Sequence, residues 1–259
     1  MTIQTSLPLI LALISSGTSY AEWTETRTEE FEELSFGSSL ANTDWYKTNR
    51  PTDTKKNQLI TDEMGGTTEA GILLPANSAG EGNALYFFDN STDGLARAGL
   101  DLSESGQNVE VCLVKFDFSF VSVDPDSQKG FGVLGLTESG NKSFGNPDSR
   151  SISVNLKEDG SLSWAGGTVL VSDPTSSHKL AILANGSPKE LEYAALDGSG
   201  ATQLPPKTFD LYLDGKRVAQ SIPFTTNSIP LGRFGVTTYS ATTGVSFLID
   251  NLSCFTAQP

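Results

Sequence analysis

From residue 22 onward the chain alternates apolar and polar side chains in short runs separated by Gly, Asn and Asp. The clearest run is Val109–Phe120. There Cys112, Val114, Phe116, Phe118 and Phe120 fall on one face, while Lys115, Asp117 and Ser119 share the other. A period of two over that length predicts a strand with one buried face, and the aromatic residues are expected in the core. Ser151–Trp164 reads as a hairpin: Ile152, Val154 and Leu156 alternate, Asp159-Gly160 turns, and Leu162 and Trp164 alternate back. Lys179–Ala184 predicts a second hairpin turning at Asn185-Gly186, and Phe209–Leu213 a third turning at Asp214-Gly215 and returning through Val218. A last pair runs from Phe234 to Tyr239, through a Thr/Gly loop, to Val245–Cys254. No window after residue 22 combines a helical period with caps at both ends. Thr28–Leu34 comes nearest and reads as an opening strand or a single turn. Many short strands at close spacing, without a repeat or a dividing linker, predict one all-β domain over residues 22–259. Its expected form is a two-sheet antiparallel β-sandwich or jelly roll.

The start of the chain breaks this pattern. Leu7–Ser16 is an apolar run, and the small residues Ser19 and Ala21 stand three and one positions before a cut after Ala21. That arrangement predicts a signal peptide over residues 1–21, hence a secreted protein, extracellular or periplasmic. The run is shorter than the ~20 apolar residues a membrane span needs, and no second stretch of that length follows.

Charge and cysteine content narrow the partners. The formal net charge is −14, and every charged residue lies after residue 21. So acidic a chain disfavours nucleic acid and anionic membranes, and also polyanionic glycans unless a local basic patch intervenes. The two cysteines, Cys112 and Cys254, are expected to form one disulfide in a secreted protein. Closing a loop of roughly 140 residues would contribute about 4–5 kcal/mol in the chain-entropy picture. No CxxC or Cys/His cluster is present, so no zinc site is expected.

Three stretches carry a family resemblance: Phe209–Val218 with its internal Asp-Gly, the closing Phe247-Leu-Ile-Asp-Asn-Leu252, and Ala84–Asn90 ahead of the aromatic strand at 109–120. Together they resemble the concanavalin A-like, or laminin-G-like, jelly-roll superfamily. The resemblance implies two curved sheets and, in many relatives, an extended glycan on the concave face. It also implies a candidate structural calcium tying the first and last strands, with Asp250 and Glu32 or Glu33 as ligands and Asp89 and Asn90 as alternatives. The superfamily includes lyases and hydrolases, but the E-x-D-x-x-E strand of one hydrolase family is absent, as are the Arg/Glu, Gln-x-His and Tyr-rich strands of alginate-lyase-like enzymes.

Little catalytic chemistry stands out beyond this. The sole histidine, His178, lies in the polar run Ser176–Lys179 and reads as a surface-loop residue; as a catalytic base it would need Tyr193, Tyr239 or Arg233 beside it. No G-x-S-x-G elbow occurs, and acids are too many for any pair to be singled out. Sugar rings stack on exposed aromatics, which nominates Trp45, Tyr46 and Tyr239 as ligand platforms. Trp164, in phase with Leu162, is expected in the core. Asn90, Asn141, Asn185 and Asn251 head N-x-S/T sequons. The leading expectation is a secreted, non-catalytic carbohydrate-binding or adhesion domain whose partner is a glycan. A divergent polysaccharide lyase or glycoside hydrolase, and a structural surface protein, are the alternatives.

Overall fold

Period-two alternation becomes two antiparallel sheets packed face to face in the computed structural model, which describes residues 20–31, 46–48, 55–60, 68–69, 72–73, 76–89, 97–127, 130–238 and 245–258. The larger sheet runs in the order β17 (Lys216–Pro223), β16 (Thr208–Leu213), β13 (His178–Asn185), β8 (Val111–Phe120), β19 (Val245–Ala257), β6 (Ala84–Asp89) and β3 (Lys55–Ile60). Strand β1 (Thr24–Glu29) joins it by pairing with the second half of β19. The other sheet runs β12 (Gly167–Leu170), β11 (Ser161–Trp164), β10 (Ile152–Lys157), β9 (Gly130–Thr137), β18 (Arg233–Thr238), β7 (Arg97–Asp101) and β2 (Tyr46–Thr48). Two small ribbons remain, β4 (Thr68–Glu69) with β5 (Ile72–Leu73), and β14 (Leu191–Ala194) with β15 (Ala201–Leu204). The architecture is an all-β, two-sheet antiparallel sandwich of the jelly-roll class. Among the described residues no helix is long and apolar enough to cross a membrane.

The core lies where the inward faces meet. Cys112, Val114, Phe116, Phe118 and Phe120 of β8 point into it with Phe247 and Ile249 of β19, opposite Leu134, Ile152, Val154 and Phe234 of the smaller sheet. Phe116 meets Phe234 across the sheets with ring centroids 5.2 Å apart, and Phe87 stacks on Phe247 at 4.9 Å. Each such ring contributes about 1.5–3 kcal/mol through removal from water. Trp164 is half-buried against this cluster.

The hairpins at Asp159-Gly160 and Asp214-Gly215 form as expected, with Gly160 and Gly215 at positive φ. Two expected hairpins do not. At Asn185-Gly186 the chain leaves the sheet, because β13 is flanked by β8 and β16 and has no vacant edge for a return strand. Asn185 ends the strand by donating to the carbonyls of Lys189 and Leu204. Likewise β18 and β19 lie in different sheets, since Phe234 and Phe247 enter the core from opposite sides.

The expected disulfide is also absent. Cys112 faces Thr256 across the β8–β19 ladder, while Cys254 faces Val114, so the thiols are diagonal neighbours two residues out of register. Diagonal Cα positions stand ~7–8 Å apart, beyond the ~4.4–6.8 Å a disulfide spans. Both thiols are buried, and burial holds both pKa values far above the ordinary thiol range, to about 12 for Cys254.

Candidate functional site

The outward face of the larger sheet is built in rows by the strand register. One row runs Phe255, Leu113, Leu183, Asp210; the next Ser253, Lys115, Ala181, Tyr212, Arg217; the next Asp250, Asp117, Lys179. The apolar end of this face is covered by the β14–β15 ribbon. Leu191, Tyr193 and Leu204 of the ribbon pack on Val111, Leu113, Leu183 and Tyr212. The ribbon thus buries Val111 and Leu113 on the outward face of β8, while Asp117 is covered by Asn251 and Lys179 and Ser119 by Ser78, so that only Lys115 is exposed.

A polar network fixes the ribbon to the sheet. Asp210 is wholly buried; its Oδ2 accepts from the Tyr193 hydroxyl at 2.5 Å and its Oδ1 from the Ser221 amide at 2.6 Å. The hydroxyls of Tyr193 and Tyr212 stand 2.7 Å apart. Since the Tyr193 proton goes to Asp210, Tyr212 donates to Tyr193. Arg217 reaches Asp210 at 3.4 Å and Thr202 at 3.0 Å, tying sheet to ribbon. Burial, then the adjoining carboxylate, holds the Tyr193 pKa far above the ordinary phenol value.

Where the ribbon ends, a groove of about 380 Å³ opens. Leu196 at the ribbon tip forms one wall; Ala181 and Tyr212 form its apolar floor; Lys115, Asp117, Lys179, Asn251 and Ser253 bring polar groups to it. Its chemistry centres on a bulge. Between Asp250 and Ser253 strand β19 carries one more residue than β8 opposite, and Asn251 takes φ 48°. The bulge sits beside two carboxylates directly across the ladder, Asp250 and Asp117. Asn251 serves both: its backbone N–H donates to Asp250 Oδ1 at 2.7 Å and its side-chain amide to Asp117 Oδ2 at 3.0 Å. Lys179 donates to Asp117 Oδ1 at 3.0 Å, and the Asn77 amide to Asp250 Oδ2 at 3.2 Å. Asp250 is fully buried under the Gly80 backbone, where an added Cβ would stand 2.1 Å from its Oδ2.

No three His, Cys, Asp or Glu of the described residues could together hold a metal ion. Of the expected calcium ligands only Asp250 lies among the described residues; Glu32, Glu33 and Asn90 lie outside them, as does the Asp89 side chain.

The other expected residues scatter. Trp45 and Tyr239 lie outside the described residues; Tyr46 is placed only by its backbone, pairing with Gly99 at the edge strand β2. His178 is not a surface-loop residue but opens β13 at 7% exposure, with Nδ1 2.9 Å from Asp214 and Nε2 3.0 Å from the Asp173 carbonyl. Burial lowers its pKa, but the Asp173 carbonyl and the Asp214 carboxylate outweigh this and raise it. Tyr193 and Arg233 do not complete a site with it. Arg233 belongs to the opposite sheet, where it donates to Asp101 at 2.7 Å. Of the described sequons, Asn185 is wholly buried and Asn141 donates to Thr137 at 2.8 Å. Pattern reasoning separated Lys115 and Asp117 from the core, but neither Asn251's bulge nor Lys179's position leaves a periodic signal.

On the outward face of the smaller sheet Gly99, Gly235 and Gly135 align across β7, β18 and β9; the Phe144 ring lies on Gly99 and Gly235, and the Arg150 side chain on Gly135.

No family model matches the sequence, and no curated protein matches it. Solved structures do. The chain is similar over 89% of its length to a sialidase, at 13% identity and a TM-score of 0.57, spanning only 18% of that protein. It is similar over 92% of its length to the whole of a carbohydrate esterase from the Shiga toxin-encoding bacteriophage phi24B, at 10% identity and a TM-score of 0.51. The carbohydrate recognition domain of Emp46p matches 90% of the chain at 12% identity and a TM-score of 0.47, over 97% of that domain.

Proposed function

We propose that this chain is a secreted carbohydrate-binding domain, non-catalytic, whose ligand seats in the groove between the β14–β15 ribbon and the Asn251 bulge. The observation that carries the reading is the groove's mixed lining: Leu196, Ala181 and Tyr212 on its apolar side, and Lys115, Asp117, Lys179, Asn251 and Ser253 on its polar side. A pyranose has that division, with C–H faces that prefer apolar contact and hydroxyls that need donors and acceptors. Two proteins of this fold, a sialidase and a carbohydrate esterase, are named for work on carbohydrates, which sets the ligand class to test first.

The opposed aspartates are the one feature that favours an enzyme, because paired carboxylates about 5 Å apart serve retaining glycosidases. The donors that already engage both carboxyl groups, from Asn77, Asn251 and Lys179, weigh against it. The test is native electrophoresis through gels cast with neutral and acidic polysaccharides, with and without EDTA, using the chain from residue 22 and its Ser253→Trp variant. Retardation that survives EDTA, vanishes in the variant and releases no reducing ends or unsaturated sugars supports binding in the groove. Undiminished retardation of Ser253→Trp would move the ligand elsewhere, and release of shortened chains would make the protein an enzyme.

A further inference from the structure

Of the groove's charged groups, one is unmatched. Asp117 is satisfied by Lys179 and by Asn251. Lys115 forms no ion pair with any described carboxylate; its ammonium stands 5.0 Å from the centre of the Phe255 ring. Glu25 on β1 acts on it electrostatically without an ion pair, and itself accepts from the Thr28 hydroxyl at 2.9 Å. Partial burial holds the Lys115 pKa below the ordinary lysine value, with Glu25 pulling the other way. The groove lining carries Lys115, Lys179 and Asp117, with Asp250 buried beside Asp117, on a chain whose net charge is −14.

We propose that the groove selects a saccharide unit bearing a carboxylate, and that Lys115 is the residue that pairs with it. This rests on the carbohydrate-binding reading and names its ligand class. Ser253 lies directly across the ladder from Lys115, and Ala181 directly across on the other side. A sugar laid on Ala181 and Tyr212 thus presents its ring substituents to the ammonium and the Ser253 hydroxyl together. The incoming carboxylate meets an ammonium that stands over the Phe255 ring, 5.0 Å from its centre. The acidic remainder of the surface sets a limit. A densely charged polyanion is repelled at the scale of a Debye length, whereas a single or terminal uronate or nonulosonate is not. The expected ligand is therefore an isolated acidic residue on an otherwise neutral glycan.

The test uses titration calorimetry or saturation-transfer NMR at 0.15 M salt on the chain from residue 22. The probes are methyl glucuronide, its methyl ester, methyl glucoside and the methyl glycoside of N-acetylneuraminic acid. At least one of the two acids is expected to bind about tenfold more tightly than the two uncharged probes, the scale of one charge-assisted hydrogen bond. Lys115→Gln should erase that preference, so that acids and neutral probes bind the variant alike, and Lys115→Arg should retain most of it. Equal binding of acids and neutral probes, or an acid preference that survives in Lys115→Gln, would overturn the assignment while leaving the carbohydrate reading standing. Failure of every probe and of the polysaccharide gels would overturn both.

Discussion

Replacing Tyr193 by Phe deletes one buried oxygen and leaves the ring. That oxygen donates to Asp210 at 2.5 Å and is 2.7 Å from the Tyr212 hydroxyl. A hydrogen bond to a buried carboxylate contributes about 1.5–3 kcal/mol, and a buried donor left without an acceptor costs about 1–3 kcal/mol. Tyr193→Phe incurs both losses, because the Tyr212 proton then has no acceptor, so about 2.5–6 kcal/mol is expected. Tyr212→Phe removes only a neutral bond, about 0.5–1.5 kcal/mol, and leaves Tyr193 on Asp210. In the double variant no hydroxyl is orphaned. Its loss should therefore fall short of the summed single losses by about 1 kcal/mol or more, a coupling that a double-mutant cycle resolves.

Urea denaturation followed by far-ultraviolet circular dichroism supplies the three free energies, read from midpoints with the slope unchanged. Amide exchange supplies the location. Residues 191–204 are held to the sheet by this network and by the apolar contacts beneath it, so their protection should fall in Tyr193→Phe before that of β13 or β8. A single variant within about 0.5 kcal/mol of wild type, or strictly additive losses, would refute the network as the ribbon's fastening. Leu196 would then need another reason to hold its place as a groove wall.

Three further outcomes follow from other parts of the sandwich. Gly235→Ala places a Cβ 2.6 Å from the Phe144 ring, and overpacking there should cost about 1–3 kcal/mol; Phe144→Ala made alongside should relieve the clash, so the double variant loses less than the two singles together. His178 is a pH-dependent contributor. Its folded pKa is raised above the unfolded value near 6.5, so its stabilisation is full below that pH and is lost as pH rises through the folded pKa. The stability gap between wild type and His178→Gln should accordingly be larger at pH 5.5 than at pH 9, and a gap independent of pH would contradict the charged role. Finally, Cys112 and Cys254 should resist alkylation in the native protein and both react after unfolding without reductant, as counted by mass. A mass two hydrogens lighter that takes up no label would show that the strands shift to bridge them.

The alternation of β8 was enough to place its core side, because a strand at the centre of a sandwich must bury one face whatever its neighbours are. The same reasoning assigned Lys115 and Asp117 to the outside and the Asp-Gly turns to hairpins. It went wrong where an outcome depends on which strands are neighbours. Asn185-Gly186 has the composition of a hairpin turn, yet β13 already has a neighbour on each side. Cys112 and Cys254 share adjacent strands, but a two-residue offset separates them, and an offset is set by the whole ladder rather than by either segment. His178 looked loop-like because its partners, Asp173 and Asp214, carry no local signal of convergence.

The Asn251 bulge shows how such an offset becomes a site. Like charges directly opposite on a ladder are destabilising, and Asp117 faces Asp250. A regular β19 would add an outward side chain at the next position but one and leave the two carboxylates unbridged. One additional residue, held at φ 48°, instead turns the Asn251 backbone N–H to Asp250 and its amide to Asp117. Lys179 and Asn77 supply the remaining donors from β13 and from the loop that covers Asp250. Asp117 and Asp250 thus take their donors from Asn251, Lys179 and Asn77, which leaves Lys115, one pleat further along β8, outside that network and over the Phe255 ring. Removing the Asn251 side chain while keeping its backbone, as Asn251→Gly does, should weaken that balance. Asp117 then has only Lys179 as its named partner, and the groove's preference for an acidic sugar should fall although Lys115 is untouched. An unchanged preference would mean that Lys115 acts independently of the aspartate pair.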